Sequence, residues 1–121
     1  MDCLFCDLER DLIIENDYAV AVYDSYPVSA GHALVIPKRH AATIFDLSED
    51  EYAGCFELVK CLKPMLQEKH STSAFNIGAN CGEVAGQTIQ HAHIHVIPRY
   101  EGDVDDPRGG VRHVIPSKAY Y

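Results

Sequence analysis

His91-Ala92-His93-Ile94-His95-Val96-Ile97-Pro98 is the stretch on which the reading of this chain turns. Side chains along a strand alternate between its two faces. Strict alternation over residues 91–98 therefore predicts a strand with His91, His93 and His95 on one face and Ala92, Ile94 and Val96 on the other. The apolar face can enter a core, which leaves three imidazoles lining a groove. Neighbouring members would lie about 6.6 Å apart along the strand and the outer two about 13 Å apart. A phosphate group is too small to meet all three alike. The middle residue can sit at a phosphorus and one flank can touch its oxygens, so the other flank must do something else. Three histidines at period two exceed what structure alone asks for, because each buried imidazole must find partners for both nitrogens. An engineered tag is a poor reading of a run interleaved with strand residues in mid-chain. A catalytic metal is the sharper rival: His93 and His95, at i and i+2, could chelate zinc with His32 as a third ligand.

Working outward, residues 13–16 and 18–23 read as two short strands joined by an Asn16-Asp17 turn, and residues 32–37 as a third strand stopped by Pro37. Residues 24–31 lie between them as a loop. Ser48-Glu49-Asp50-Glu51 is a capping box ahead of a helix. Tyr52, Cys55, Phe56, Val59, Leu62 and Leu66 then recur at helical spacing as one apolar stripe, facing the core or a second subunit. Pro64 falls inside that pattern and is expected to kink or split the helix near Lys60. Residues 73–79 read as a fourth strand, residues 80–88 as a loop containing Gly82 and Gly86, and residues 91–98 as the fifth strand.

The length, 121 residues, fits a single domain (1–121), with a core over 3–100 and a loop-rich tail over 101–121. Apolar residues make up 47% of the chain, which argues against disorder. No apolar run approaches the roughly 20 residues of a membrane span. The acidic start lacks the pattern of a secretion signal. Five cysteines, an odd number, argue against a disulfide scaffold. The expected location is cytoplasmic, with no membrane contact. A formal charge of −8 excludes a broad nucleic-acid polymer surface, which needs clustered Lys and Arg, but not a small anionic ligand.

The surroundings of the histidine run widen the pattern. Gly86-Gln87-Thr88 lies just upstream of it. An earlier block runs Gly31-His32-Ala33-Leu34-Val35-Ile36-Pro37-Lys38-Arg39-His40, and Leu4-Phe5-Cys6 and Ile14-Glu15-Asn16-Asp17 stand near the start. Over residues 3–100 or so the chain resembles the histidine triad (HIT) superfamily. The wording Ala85-Gly86-Gln87-Thr88 and Val96-Ile97-Pro98-Arg99 is similar to the fragile-histidine-triad branch of dinucleoside polyphosphate hydrolases. The N-terminal half is equally similar to the nucleoside phosphoramidase branch.

The resemblance implies an α+β fold. A five-stranded antiparallel sheet would pack with one long and one short helix, and two subunits would pair as a homodimer with a continuous sheet. It implies a hydrolase acting at the α-phosphorus of a small nucleotide substrate, with His93 as nucleophile and a nucleotidyl-histidine intermediate. The carbonyl of His91 would accept from His93 Nδ1 and leave Nε2 free. His95 and His32 would donate to phosphate oxygens. Gln87 and Thr88, with Gly86 beside them, would meet the phosphate or the bridging atom. Asp24 would hold the ribose hydroxyls. Leu4, Phe5, Leu8 and Val22 would form the base pocket, and Asn80 would lie near the phosphates. Imidazole chemistry is compatible with this on its own terms, since the ring is nucleophilic near neutral pH. No organic cofactor is implied.

Cys3-x-x-Cys6 alone is a weak motif, equally readable as two small residues at a chain end. By the same resemblance it joins His40 and His91 as a structural Zn²⁺ site with a closed shell of four ligands. His70 reads as a helix C-terminal residue favoured by the dipole. Arg99, Arg108 and Arg112 are either surface residues or guanidinium groups that reach a polyphosphate. Two other readings stay open: a metal-dependent phosphohydrolase on His32, His93 and His95, and a non-catalytic nucleotide-binding protein. The leaving group and the base are open as well.

Overall fold

A computed structural model describes residues 3–8 and 10–121; residues 1 and 2, at the start of the expected domain, and residue 9 lie outside the described residues. Five antiparallel strands form one sheet: β1 (Ile14–Glu15), β2 (Ala19–Tyr23), β3 (Ala33–Pro37), β4 (Ala74–Gly78) and β5 (Ile94–Arg99), in the order β1-β2-β3-β5-β4. Asn16 makes the first turn, its Oδ1 accepting from the N–H groups of Tyr18 and Ala19 at 2.9 Å each. One long helix, α1 (Glu49–His70), packs on one face of the sheet. The architecture is α+β, as expected. The expected short helix is a single 3₁₀ turn, Ile44–Asp46, closed by a capping box on Thr43.

The helix begins where the sequence says it should. Ser48 Oγ accepts from the Glu51 N–H at 3.1 Å and the Glu51 carboxylate accepts from the Ser48 N–H at 2.8 Å. Arg39 Nε and Nη2 also donate to that carboxylate, which holds it down at about 2 and ties the segment after β3 to the helix.

The inward stripe differs from the expected one. Gly54, Cys55, Leu58, Leu62 and Leu66 face the sheet, whereas Tyr52 and Phe56 are exposed and stack on each other at 5.2 Å. The reason is Gly54. Its missing side chain lets Tyr18 approach so closely that a Cβ would lie 2.8 Å from the tyrosine Cβ, and Asn16 Nδ2 donates to its carbonyl. The helix is thereby turned toward the β1–β2 hairpin, and Leu58 enters the core in place of Tyr52. The expected break at Pro64 is also absent: α1 runs through it. Pro64 and Lys60 lie on the exposed side, where water can satisfy the Lys60 carbonyl that loses its partner.

Small residues on the sheet (Ala19, Ala21, Ala33) allow the close approach of Leu58, Leu62 and Leu66. The opposite face of the sheet carries a second cluster, Phe5, Val22, Leu34 and Ile36. The central strand β3 is buried along its whole length. His95 pairs with Leu34 in register, which sets the functional histidines on the face away from α1.

The tail is ordered as two 3₁₀ turns, Gly110–Val114 and Pro116–Lys118. Arg99 starts it: Nε and Nη2 donate to Asp103 at 2.7 and 2.8 Å, and Nη1 donates to Asn76 Oδ1 at 2.6 Å. Among the described residues no helix is long and apolar enough to cross a membrane.

Candidate functional site

The strand that carries the triad begins later than alternation predicts. His91, Ala92 and His93 precede β5 as a bend, because their hydrogen bonds leave the ladder. The Ala92 N–H donates to the Ala41 carbonyl at 2.7 Å, and the His91 carbonyl accepts from the His93 ring Nδ1 at 2.8 Å. His91 is thereby separated from the other two. His93 and His95 remain neighbours, with ring centroids 5.2 Å apart.

Hydrogen-bond partners assign the tautomer of each ring. His93 Nδ1–H points at a carbonyl, so Nε2 keeps its lone pair. His32 Nδ1 accepts from the Val28 N–H at 3.1 Å, which puts the proton of the neutral ring on Nε2. That Nε2–H donates to His95 Nδ1 at 2.9 Å and leaves His95 Nε2 as a donor. Burial pushes His95 down to about 4, with His93 and His32 adding to the shift and Asp24 opposing it. Burial lowers His32 as well, against the same aspartate. Both rings are therefore neutral near pH 7, as the chain of hydrogen bonds requires.

His93 and His95 line a pocket of about 300 Å³. Its walls include six other residues expected from the sequence: Leu4, Phe5, Asp24, Asn80, Gly86 and Thr88. Phe5 meets His93 edge-on at 5.0 Å between centroids. Asp24 is anchored, with Oδ1 accepting from the Tyr26 N–H at 2.8 Å, while Oδ2 lies 3.5 Å from His32 Nε2.

Four expected residues stand behind the walls. Val22 is fully buried and Leu8 packs against the same cluster, so both support Phe5. His32, 3% exposed, does not line the pocket and touches it through His95 and Asp24. Gln87, also 3% exposed, has no polar atom left for a ligand. Its Oε1 accepts from the Gly82 N–H at 2.8 Å, and its Nε2 donates to the carbonyls of Ala42 (2.6 Å) and Ile89 (3.0 Å). It braces the loop that presents Asn80, Gly86 and Thr88.

Sequence reasoning missed Arg10, Ser25, Tyr26, Leu34 and Ile89 on the pocket wall. Leu34 could have been found from its place two residues after His32 on one strand face. Arg10, whose Nη1 donates to the Tyr23 carbonyl at 3.1 Å, carried no signal of its own.

The second cluster gathers the four residues expected to hold a metal. The ligand atoms of Cys3, Cys6, His40 and His91 all lie within 4.8 Å of one another. His91 Nδ1 is 3.4 Å from Cys3 Sγ and 3.5 Å from Cys6 Sγ, and His40 Nδ1 is 3.3 Å from Cys6 Sγ. A tetrahedral zinc sets sulfur and nitrogen ligands about 3.6 Å apart. His91 Nε2–H donates to the Pro37 carbonyl at 2.8 Å, which turns the Nδ1 lone pair toward the thiols, and burial keeps the ring neutral. These residues could hold a metal ion.

A metal on His32, His93 and His95 is not prepared among the described residues. The third member beside His32 and His95 is Asp24, and the two imidazoles share a hydrogen bond instead of both offering lone pairs.

Tail arginines do not reach the pocket. Arg108 donates to Asp106, and Arg112 donates to the carbonyls of Lys118 and Ala119. His70, at the end of α1, lies across Gly31, whose φ of +89° and lack of a Cβ make room for it.

Comparison with known proteins gives consistent matches. A family model described as the HIT domain matches residues 7–102. An uncharacterized HIT-like protein of Mycoplasma genitalium is 36% identical over 104 residues, 82% of this chain and 74% of that protein. An adenosine 5′-monophosphoramidase of Schizosaccharomyces pombe is 36% identical over 104 residues, 82% of this chain and 75% of that protein. Among solved structures, a hypothetical histidine triad nucleotide-binding protein of Sulfolobus tokodaii superposes with a TM-score of 0.77 at 36% identity, covering 86% of this chain and 73% of the other.

Proposed function

This chain belongs to the HIT domain family, and from that premise we propose that it is a nucleotide hydrolase, cleaving dinucleoside polyphosphates or nucleoside phosphoramidates at the α-phosphorus through a covalent intermediate on His93. One observation carries the reading. His93 Nδ1 is committed to the His91 carbonyl at 2.8 Å, so the nitrogen that the neutral tautomer offers to the pocket is Nε2.

In the first displacement Nε2 attacks phosphorus and the bond to the leaving group breaks, with its electron pair going to the leaving atom, which takes up a proton from solvent where it departs as an amine. In the second, water attacks phosphorus, the P–N bond to His93 breaks, and the released proton goes to solvent. His95 Nε2–H donates to a non-bridging oxygen as charge gathers there. His32 acts through His95 and is a positioning residue. Asn80 and Thr88 face the phosphates, Asp24 faces the ribose, and Leu4 and Phe5 face the base.

Cys3, Cys6, His40 and His91 are read as a structural zinc site. The ion would stiffen the turn that carries Leu4 and Phe5 and fix the backbone at His91. The near-tetrahedral ligand spacing supports this. Metal analysis is expected to give about one zinc per chain, and none in a Cys3→Ala, Cys6→Ala variant. The protein is read as a single cytoplasmic domain whose cysteines stay reduced. It would pair as a homodimer through the exposed Tyr52–Phe56 face and the edge strand β4, which sedimentation would register as twice the chain mass.

The test of the chemistry is mass spectrometry of a His95→Ala variant mixed with substrate in a single turnover. A nucleotidyl adduct on His93 is expected. Its absence, together with full activity of His93→Ala, would remove the proposal.

A further inference from the structure

Arg10 is the one Lys or Arg among the described residues that line the nucleotide pocket. The other arginines are occupied. Arg39 is paired with Glu51, Arg99 with Asp103 and Arg108 with Asp106, and Arg112 donates to tail carbonyls. Among the described residues Arg10 has no carboxylate partner, and its hydrogen bond runs from Nη1 to the Tyr23 carbonyl at 3.1 Å. A guanidinium carries five N–H donors and no acceptor, so Nε and Nη2 keep a donor fork.

The carbonyl that Arg10 holds fixes where this fork stands. Carbonyls two residues apart on a strand point the same way. The Ala21 carbonyl accepts from the Ile13 N–H at 2.7 Å, on the β1 side, so the Tyr23 carbonyl also points to the outer side of β2. In the sheet, β3 separates β2 from the strand of His95. Two strand spacings put β2 roughly 10 Å from β5, and the guanidinium lies beyond that. Asp24, next in the chain to Tyr23, stands between, with Oδ2 3.5 Å from His32 Nε2 and 4.0 Å from His95 Nδ1. From the triad outward the pocket therefore runs His93 and His95, then Asp24, then Arg10. A nucleotide held by its phosphorus at His93 and by its ribose at Asp24 turns its base toward the guanidinium.

The fork has a chemical preference. In guanine and hypoxanthine O6 and N7 are adjacent acceptors and can take both N–H groups. In adenine an amino group replaces O6, so donor faces donor. A second phosphate on the ribose would also suit a guanidinium, but it would meet the Asp24 carboxylate. We propose, on the premise of the nucleotide reading above, that Arg10 reads the edge of the base and makes this pocket prefer 6-oxopurine nucleotides, those of guanosine and inosine, over adenosine nucleotides.

The test is calorimetry on the full chain with GMP, IMP, AMP and adenosine 3′,5′-bisphosphate, each titrated into the parent and into Arg10→Met. GMP and IMP are expected to bind the parent about fivefold or more tighter than AMP. In Arg10→Met the ratio should fall to near one, and a ratio read within one protein is unaffected by a partly unfolded fraction. Arg10→Lys, which keeps the charge but not the fork, should retain only part of the preference. With guanosine and adenosine 5′-phosphoramidates the same preference should appear in KM rather than in kcat. AMP binding the parent as tightly as GMP would overturn the inference. So would a ratio that Arg10→Met leaves unchanged, since a residue that merely held the Tyr23 carbonyl would weaken all ligands alike. Bisphosphate binding tighter than GMP, with the gain lost in Arg10→Met, would assign the guanidinium to a phosphate and overturn it too. If no nucleotide binds the parent, the nucleotide reading itself fails. If GMP is preferred but no phosphoramidate is turned over or labels His93, base selection stands and the hydrolase reading fails.

Discussion

His32 Nε2 lies 2.9 Å from His95 Nδ1, and the backbone N–H of Val28, 3.1 Å from His32 Nδ1, gives that bond its direction. A main-chain group in the loop after β2 thus decides which nitrogen of His95 carries a proton toward the pocket. His32→Ala should free His95 to take either tautomer and lower kcat by about 10- to 100-fold, with a smaller change in KM. His32→Gln, whose amide can still donate, should recover part of the loss. Long-range nitrogen NMR of His95 would show a single tautomer in the parent and a mixture in the alanine variant.

The lowered histidines predict a direction of acid sensitivity. His95 is held at about 4 by burial and by His93 and His32, against an ordinary value of 6.5. Between those values the unfolded chain binds a proton that the folded chain refuses. The stability is therefore fully present above pH 6.5 and is lost as pH falls toward 4. His32 shifts in the same sense. From His95 alone the loss is on the order of 3 kcal/mol. Thermal melts from pH 7 to 4.5 should fall steadily, and His95→Asn should flatten the curve; identical curves would contradict the burial argument.

Gln87 is a brace with three backbone partners. Gln87→Ala leaves the Gly82 N–H and the Ala42 carbonyl without partners and should cost about 2–3 kcal/mol. Because the braced loop presents Asn80 and Thr88, KM should rise as well. Gln87→Glu should not rescue either quantity, since its carboxylate would face two carbonyl oxygens. A melting temperature unchanged in both variants would show that the loop stands without this amide.

Phe5 lies between Cys3 and Cys6 in sequence and against both His91 and His93 in space, at 6.1 and 5.0 Å between centroids. Stripping metal with a chelator should therefore lower the melting temperature and weaken binding of a nucleoside monophosphate, read by calorimetry. Zinc added back should restore both. If the stripped protein binds the nucleotide as tightly as before, the cysteine turn does not support the pocket.

Pro64 sits on the exposed side of an unbroken helix. Pro64→Ala should restore a donor to Lys60 and stabilise the fold by about 1–3 kcal/mol without altering kcat/KM. A fall in melting temperature would mean that the proline is needed where it stands.

Much of this molecule could be read from its residues in order. Alternation marked the strands, Ser48 and Glu51 marked the start of α1, and the triad with its flanking blocks carried the family resemblance. These are local signals, because strand period and cap chemistry act over a few residues. The same local logic failed where a distant partner intervened. It grouped Tyr52 with the residues of one inward stripe, facing the core or a second subunit, because it could not see Tyr18 pressed against Gly54; likewise the role that the resemblance implies for Gln87, at the phosphate or the bridging atom, takes no account of Ala42 and Ile89 taking its amide. It also set three imidazoles on one face, whereas the bonds from Ala92 to Ala41 and from His91 to Pro37 pull the first away to the cysteines.

What the sequence by itself determined is which chemical groups are present and how they are spaced: an imidazole flanked by two others, a thiol pair, and an acidic net charge. What only the tertiary structure decided is the state and aim of each group: which nitrogen bears the proton, which amide is spent on backbone, and which arginine is already paired. The reason is that tautomer, burial and pairing depend on atoms brought together across tens of residues, and no spacing along the chain encodes the direction of a hydrogen bond made through space.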